Sequence, residues 1–201
     1  MEKVVISGGT GLVGQRLINI LQEKGYQITV LSRSKNKDLN GVPYRPWHPN
    51  KEELDQSIID EADHIINLAG ANVADKRWTK SYKQIIRESR VLSTRLLVSA
   101  VNKSSGSLKT FVSTSAINYY GIQREDLVDE NTTPGDHFLS DVCVEWEKEA
   151  NKLDKSGAKL VILRVATVLA PEDGPLPKMA QPVKLGLGAP LGPGTQHTPW
   201  I

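Results

Sequence analysis

The sequence predicts an α/β fold, a doubly wound parallel sheet with helices on both faces, and three observations predict it. Short apolar runs recur at residues 4–6, Gln27–Ser32, residues 62–69, residues 108–113 and Lys159–Val165. Longer segments with apolar residues at helical spacing lie between them. Strands alternating with helices favour parallel pairing, because each return to the sheet is made by a helix laid across its face. The third observation is local: Val4-Val5-Ile6 runs directly into a glycine cluster and then into a helical pattern, Leu12-Val13-x-x-Arg16-Leu17-Ile18-x-x-Leu21.

That first junction, KVVISGGTGLVG, has two glycine spacings at once. Gly9-x-Gly11-x-x-Gly14 is a dinucleotide fingerprint, and Gly8-x-x-Gly11-x-x-Gly14 is its wider relative. Glycines there permit a sharp turn and let a pyrophosphate approach bare amides at a helix N-terminus. The prediction is a Rossmann-type sheet, with Gly8, Thr10, Gly11, Leu12, Val13 and Gly14 cradling the cofactor phosphates.

Further along the chain, Gly25 reads as a helix stop and Gln27–Ser32 as the second strand. The residues after that strand choose the cofactor. An acid would bond a ribose 2′-hydroxyl, whereas an arginine accommodates a 2′-phosphate. Here stand Ser32-Arg33-Ser34-Lys35, with no acid before Asp38. A guanidinium offers a phosphate a fork of donors and a carboxylate repels it, so NADP is the expected cofactor, with Arg33 as phosphate partner and Ser32 assisting.

Residues 36–50 are rich in polar residues and proline and read as an irregular loop, with His48 an exposed loop histidine. Residues 51–61 read as a short helix. Residues 62–69 form the third strand, whose exit, Leu68-Ala69-Gly70, should touch the cofactor's ribose and pyrophosphate side, with Asn67 a turn-former. Residues 79–102 form a long helix with Ile85, Ile86, Val91, Leu92, Leu96, Leu97 and Val101 at helical spacing; Arg87, Arg90 and Arg95 are candidates for its solvated face. Residues 108–113 are the fourth strand, leaving through TSAINYYG. Residues 136–155 contain an amphipathic helix with Cys143 and Trp146 inward, and Lys159–Val165 is the fifth strand. From Ala170 onward proline and glycine dominate.

A formal net charge of +2 gives no nucleic-acid footprint. The single cysteine excludes an internal disulfide and fits a reducing compartment. No apolar run approaches the ~20 residues that cross a bilayer. The chain opens on a strand, without the basic and apolar start of a signal peptide. A cytoplasmic protein is expected, with a small-molecule substrate and neither nucleic-acid nor membrane partner. No group of His, Cys and acids has metal-ligand spacing, and no G-x-S-x-G nucleophile elbow occurs.

The chain resembles the extended short-chain dehydrogenases/reductases of the NAD-dependent epimerase/dehydratase type. More narrowly, it is similar to the group labelled epimerase family proteins or nucleoside-diphosphate-sugar epimerases. The resemblance rests on residues 8–14, Ser32-Arg33, residues 67–71 (NLAGA), 89–94 (SRVLST), 115–121 (SAINYYG), Trp146-Glu147, 163–169 (LRVATVL) and 185–191 (LGLGAPL). It implies that Arg90 and Val168 lie near the cofactor. Extended relatives often dimerise through the two long helices, which makes a homodimer one expectation, while packing on the sheet explains the apolar positions of residues 79–102 equally well. It also implies an NADP-binding domain over 1–170 and the start of a truncated substrate-binding region over 171–201, with the substrate lobe largely missing.

One departure bears on chemistry. The superfamily's Tyr-x-x-x-Lys pair lowers the tyrosine's pKa through the lysine charge, and a Ser or Thr helps place the substrate oxygen. By position these fall on Cys143, Glu147 and Ala116, with Ser115 adjacent. The remaining catalytic candidates are Ser115, Tyr119 and Tyr120, and Glu147 reads as a surface residue. Two functions follow: an NADP-dependent oxidoreductase or epimerase-like enzyme with non-standard catalytic residues, acting on a small molecule such as a nucleotide sugar, or a non-catalytic NADP-binding redox sensor or structural partner.

Overall fold

A computed structural model describes residues 1–33, 37–39, 41–121, 126–189, 194 and 199–201. Ser34 and Lys35 of the basic stretch, and the end of the LGLGAPL segment, lie outside the described residues. Eight strands form the sheet: β1 (Lys3–Ser7), β2 (Gln27–Ser32), β3 (Lys37–Leu39), β4 (Val42–His48), β5 (Glu53–Leu54), β6 (His64–Asn67), β7 (Thr110–Ala116) and β8 (Lys159–Val165). The spatial order is β3-β4-β2-β1-β6-β7-β8, with β5 paired to β4. From β4 to β8 all pairings along that order are parallel, and β3 and β5 add antiparallel edges. The chain therefore winds outward from β1 through β2 and β4, then returns to the centre and winds the other way through β6, β7 and β8, the doubly wound Rossmann order.

The helices are α1 (Leu12–Glu23), α2 (Gln56–Asp60), α3 (Lys80–Lys103), α4 (Phe138–Ala150) and α5 (Pro175–Lys184). Alternation along the strands sorts their side chains into two cores. Val4, Ile6, Ile28, Val30, Val42 and Tyr44 pack with Ile18 of α1 on one face. Val5, Leu31, Trp47, Ile65 and Phe111 pack with Ile59 of α2 and Leu97, Val98 and Val101 of α3 on the other. Thr79 caps α3 by accepting from the Tyr82 amide at 3.2 Å. Gly25 ends the first helical unit at φ +81°.

The described part of the stretch at 36–50 is not an irregular loop. It contains β3 and β4, and β4 supplies the third strand of the first half-sheet. Val42, Tyr44 and Trp47 are all buried there, which outweighs the prolines. Pro43 and Pro46 are tolerated because β4 lies near the sheet edge, with only short neighbours on its outer side. His48 is accordingly the half-buried last residue of β4. The helix expected over 51–61 is also divided. Glu52 adopts a left-handed φ of +56°, β5 follows, and Asp55 restarts a helix by accepting from the Ser57 amide at 3.0 Å.

Past β8, Thr167 bridges Trp200 in parallel, tying the Pro/Gly-rich segment to the end of the sheet. Within that segment α5 forms, with Pro175 in its first turn, where a missing N–H costs nothing. Among the described residues no helix is long and apolar enough to cross a membrane.

Candidate functional site: the crevice at the carboxyl ends of β1 and β6

The winding reverses between β1 and β6, so their carboxyl ends diverge into a crevice, the place where ligands bind in open α/β sheets. Gly8 makes the turn out of β1 at φ +75°, and a Cβ there would stand 2.6 Å from the Leu68 carbonyl oxygen. Glycine alone lets the turn lie against the exit of β6. The Gly11 amide closes the turn on the Gly8 carbonyl at 3.1 Å. Gly11 then precedes α1 with no side-chain cap, and the first turn of α1 has no acid. The leading amides of α1, at Leu12, Val13 and Gly14, thus present an uncapped positive helix end suited to an anion. Thr10 and Val13 are exposed beside it, and the Thr10 carbonyl accepts from Gln15 Nε2 at 2.8 Å.

The opposite wall, Leu68-Ala69-Gly70, is braced from beneath. Asn67 is fully buried; its Oδ1 accepts from Ser7 Oγ at 2.6 Å, and its Nδ2 donates to Thr94 Oγ1 at 2.8 Å. Trp146 Nε1 donates to the same Thr94 oxygen at 2.8 Å. Asn67 is therefore more than a turn-former: with Thr94 it ties β1, β6, α3 and α4 together under the crevice. Ser7, Asn67, Thr94 and Trp146 each have a partner in this network, which is the condition for polar side chains to be buried there without penalty. The pattern Ser7…Asn67…Thr94…Trp146 is spread over most of the sequence, so local reading could not join it.

Arg33 is exposed directly after β2, and Ser32 is the half-buried last residue of that strand. Asp38, the first acid after them, is engaged by Arg45 at 3.0 Å. Among the described residues the exit of β2 therefore has an exposed cation, and the first acid after it is already paired. Val168 follows β8; its carbonyl lies 3.5 Å from a Cβ built on Gly174, which in turn approaches Leu12. A salt bridge from Arg16 to Glu172 at 2.8 Å holds the same segment against α1. Gly8 to Gly14, Leu68 to Gly70 and Val168 thus gather at one edge of the sheet. A cavity of about 490 Å³ lies elsewhere, at the amino edge beside Lys3, Tyr26, Gln27, Arg45 and Glu61.

Ser115, Tyr119 and Tyr120 meet around a buried ion pair that joins α4 to β8. Arg164 holds both carboxylate oxygens of Glu147, Nε to Oε1 at 2.9 Å and Nη2 to Oε2 at 2.8 Å. Glu147 is 8% exposed, which corrects its reading as a surface residue. Register explains the burial: Ser115 pairs with Arg164 across β7 and β8, and both face α4. Ser115 Oγ donates its proton to Glu147 Oε1 at 2.6 Å. Arg164 Nη1 donates to the Tyr120 hydroxyl at 2.8 Å, and its guanidinium lies 3.5 Å from the Tyr119 ring centre. Pairing with Glu147 raises the Arg164 pKa above its ordinary value. Burial pushes the Cys143 thiol up, as suits a packed apolar residue. Among the described residues no group of His, Cys, Asp and Glu could hold a metal ion.

A profile of the NAD dependent epimerase/dehydratase family matches residues 4–201. The chain belongs to that family. An epimerase family protein of Mycobacterium bovis is 36% identical over 198 residues, which are 98% of this chain and 64% of the relative. One from Staphylococcus haemolyticus is 36% identical over 204 residues, covering all of this chain and 67% of the relative. The chain thus spans about two thirds of the length of these relatives. Among solved structures, it is similar to human epimerase family protein SDR39U1 (isoform 2), crystallised with NADPH. The TM-score is 0.84 at 31% identity, over 99% of this chain and 65% of that one. A nucleoside-diphosphate sugar epimerase of Corynebacterium glutamicum gives 0.83 at 32% identity, over 100% of this chain and 41% of that one. The family match runs over residues 4–201 and the shared fold over 99–100% of the chain.

Proposed function

We propose that this epimerase/dehydratase family member binds NADP in the crevice and acts as an oxidoreductase or epimerase-like enzyme on a small molecule such as a nucleotide sugar. The observation that carries the reading is the glycine turn feeding an uncapped, acid-free helix N-terminus at the switch point, with Arg33 after β2. The residues fit the cofactor: Gly8 to Gly14 offer amides to the pyrophosphate, Leu68 to Gly70 and Val168 offer backbone, and Ser32 and Arg33 meet the 2′-phosphate. SDR39U1, crystallised with NADPH, adds support.

Bound NADPH supplies a hydride, which reduces a carbonyl carbon. The carbonyl oxygen then needs a proton. Ser115 spends its only proton on Glu147, whereas the Tyr120 hydroxyl accepts from Arg164 and keeps its own proton to give. Tyr120 donates that proton, and the Arg164 guanidinium faces the phenolate left behind. Tyr119 stacks under the same guanidinium and steadies it. In this reading Ser115 and Glu147 position Arg164.

A second reading, a non-catalytic NADP-binding sensor, is favoured by one observation. The usual tyrosine and lysine positions have a packed thiol, Cys143, and an ion-paired carboxylate, Glu147. Assaying nicotinamide absorbance with a panel of keto-sugars and small ketones separates the two. The enzyme reading expects NADPH oxidation with at least one ketone, and a Tyr120→Phe loss in kcat on the order of 10²-fold with KM little changed. Turnover that survives Tyr120→Phe in full removes the proton role. No oxidation by any ketone while NADPH binds tightly leaves the sensor.

A further inference from the structure

Four arginines line the layer formed by α3, α4 and β8, and they are not treated alike. Arg87 reaches Glu145 at 3.4 Å, Arg164 reaches Glu147 at 2.8 Å and Arg95 reaches Glu149 at 3.0 Å. All three partners lie on α4. Arg90 has no carboxylate partner among the described residues. Opposite it, α4 offers the Trp146 ring, 5.5 Å from the guanidinium carbon. Among the described residues, the hydrogen bond of its guanidinium goes from Nη1 to the Ile86 carbonyl of its own helix, at 3.0 Å.

Arg90 is also pressed into the crevice. A Cβ built on Gly70 would stand 3.0 Å from its Cζ, 3.2 Å from Nη2 and 3.3 Å from Nε, so the guanidinium lies flush against the loop leaving β6. That loop is pinned to α3 by the Ala71 amide, which donates to Ser89 Oγ at 2.9 Å. Burial lowers the Arg90 pKa, and the titratable groups facing it, Cys143 and Tyr82, are a thiol and a phenol rather than carboxylates. A cation withdrawn from water is normally paired. Here the unused donors remain available to a bound molecule. The glycine turn touches the same loop earlier, at Leu68, whereas Arg90 touches Gly70 and faces Trp146 of α4, the helix whose next residue, Glu147, accepts from Ser115.

We propose that Arg90 binds an oxyanion, a carboxylate or a phosphate, of the molecule that exchanges hydride with the cofactor, and so selects anionic substrates. The proposal rests on the cofactor reading above, and it moves Arg90 from the cofactor's neighbourhood to the second reactant. A guanidinium fork matches either oxyanion through two parallel hydrogen bonds.

The test titrates inorganic phosphate and, separately, acetate into ¹⁵N-labelled protein, free and NADP-saturated, following the Arg90 Nε–H resonance. That resonance is assigned by its loss in Arg90→Lys. The expected result is a saturable shift with at least one probe that persists when NADP is bound; which probe acts tells carboxylate from phosphate. Arg90→Met keeps an apolar stem against Trp146 and should weaken that probe at least tenfold. It should also leave the Tm of the ligand-free protein unchanged or raise it, because a half-buried cation with no carboxylate partner among the described residues is gone. A lowered Tm together with no probe response assigns Arg90 a structural role and overturns the proposal. So does a probe that NADP displaces, which gives the guanidinium to the cofactor. NADP binding is read independently from amide shifts at residues 8–14. A failure there counts against the cofactor reading, while the titration of free protein still decides whether Arg90 holds an oxyanion.

Discussion

Glu147→Ala should destabilise the fold by about 3–5 kcal/mol, the cost of removing one member of a buried ion pair. The side chains of Arg164 and Glu147 are 16% and 10% exposed, and the pair is bidentate, so water cannot replace the lost carboxylate. The variant leaves the guanidinium unpaired and frees the Ser115 proton. Replacing both partners, as in Glu147→Leu with Arg164→Met, should recover most of the loss, since a packed apolar pair of similar volume is often neutral against a buried ion pair. Urea unfolding of the parent, the single and the double variant measures both. A Glu147→Ala loss below about 1 kcal/mol would mean that the pair is as solvated as a surface bridge.

The second large effect separates two glycines of one motif. A Cβ on Gly14 would stand 2.5 Å from the Gly8 carbonyl oxygen and 2.6 Å from Gly9 Cα, both backbone atoms that cannot swing aside. Gly14→Ala should therefore cost about 1–3 kcal/mol of stability by overpacking, displace the turn and abolish NADPH binding. A Cβ on Gly11 meets only the Gly8 oxygen, at 3.5 Å, an ordinary contact. With φ at −82°, alanine is also compatible with the backbone, and because alanine is a poorer N-cap than glycine the loss should be about 0.5–1 kcal/mol. Packing does not require a glycine there, and in the proposed reading the open space serves the ligand. Gly11→Ala should fold normally and yet bind NADPH on the order of tenfold more weakly. Thermal melts beside NADPH titrations separate the two. Equal NADPH affinity in Gly11→Ala and the parent would remove the phosphate from that turn.

Much of the frame was legible because its signals are local. Gln27–Ser32 and Lys159–Val165 stand where the apolar runs put them, and α3 and α4 follow their helical periodicities. Where reading failed, a distant partner decided the matter. The prolines of β4 argued for a loop, but burial of Val42, Tyr44 and Trp47 prevailed at the sheet edge. Glu147 looked like a surface acid beside Trp146. Its partner Arg164 comes from β8 and becomes its neighbour only once β7 and β8 pair in register. Asn67 gave no sign of its brace, because Thr94 lies on a helix 27 residues later. Arg90 is the converse case. Helical spacing offered it to solvent and resemblance offered it to the cofactor; what distinguishes it from Arg87 and Arg95 is its contact with Gly70 and, among the described residues, the Trp146 ring where they have a carboxylate.

The most direct test titrates NADPH and NADH in parallel into the parent and Arg33→Ala. The parent should favour NADPH, and the variant should lose about 1.5–3 kcal/mol, roughly ten- to a hundred-fold, on NADPH alone, falling to the level of NADH. Equal and weak binding of both cofactors, untouched by the substitution, would contradict the assignment of the crevice to NADP.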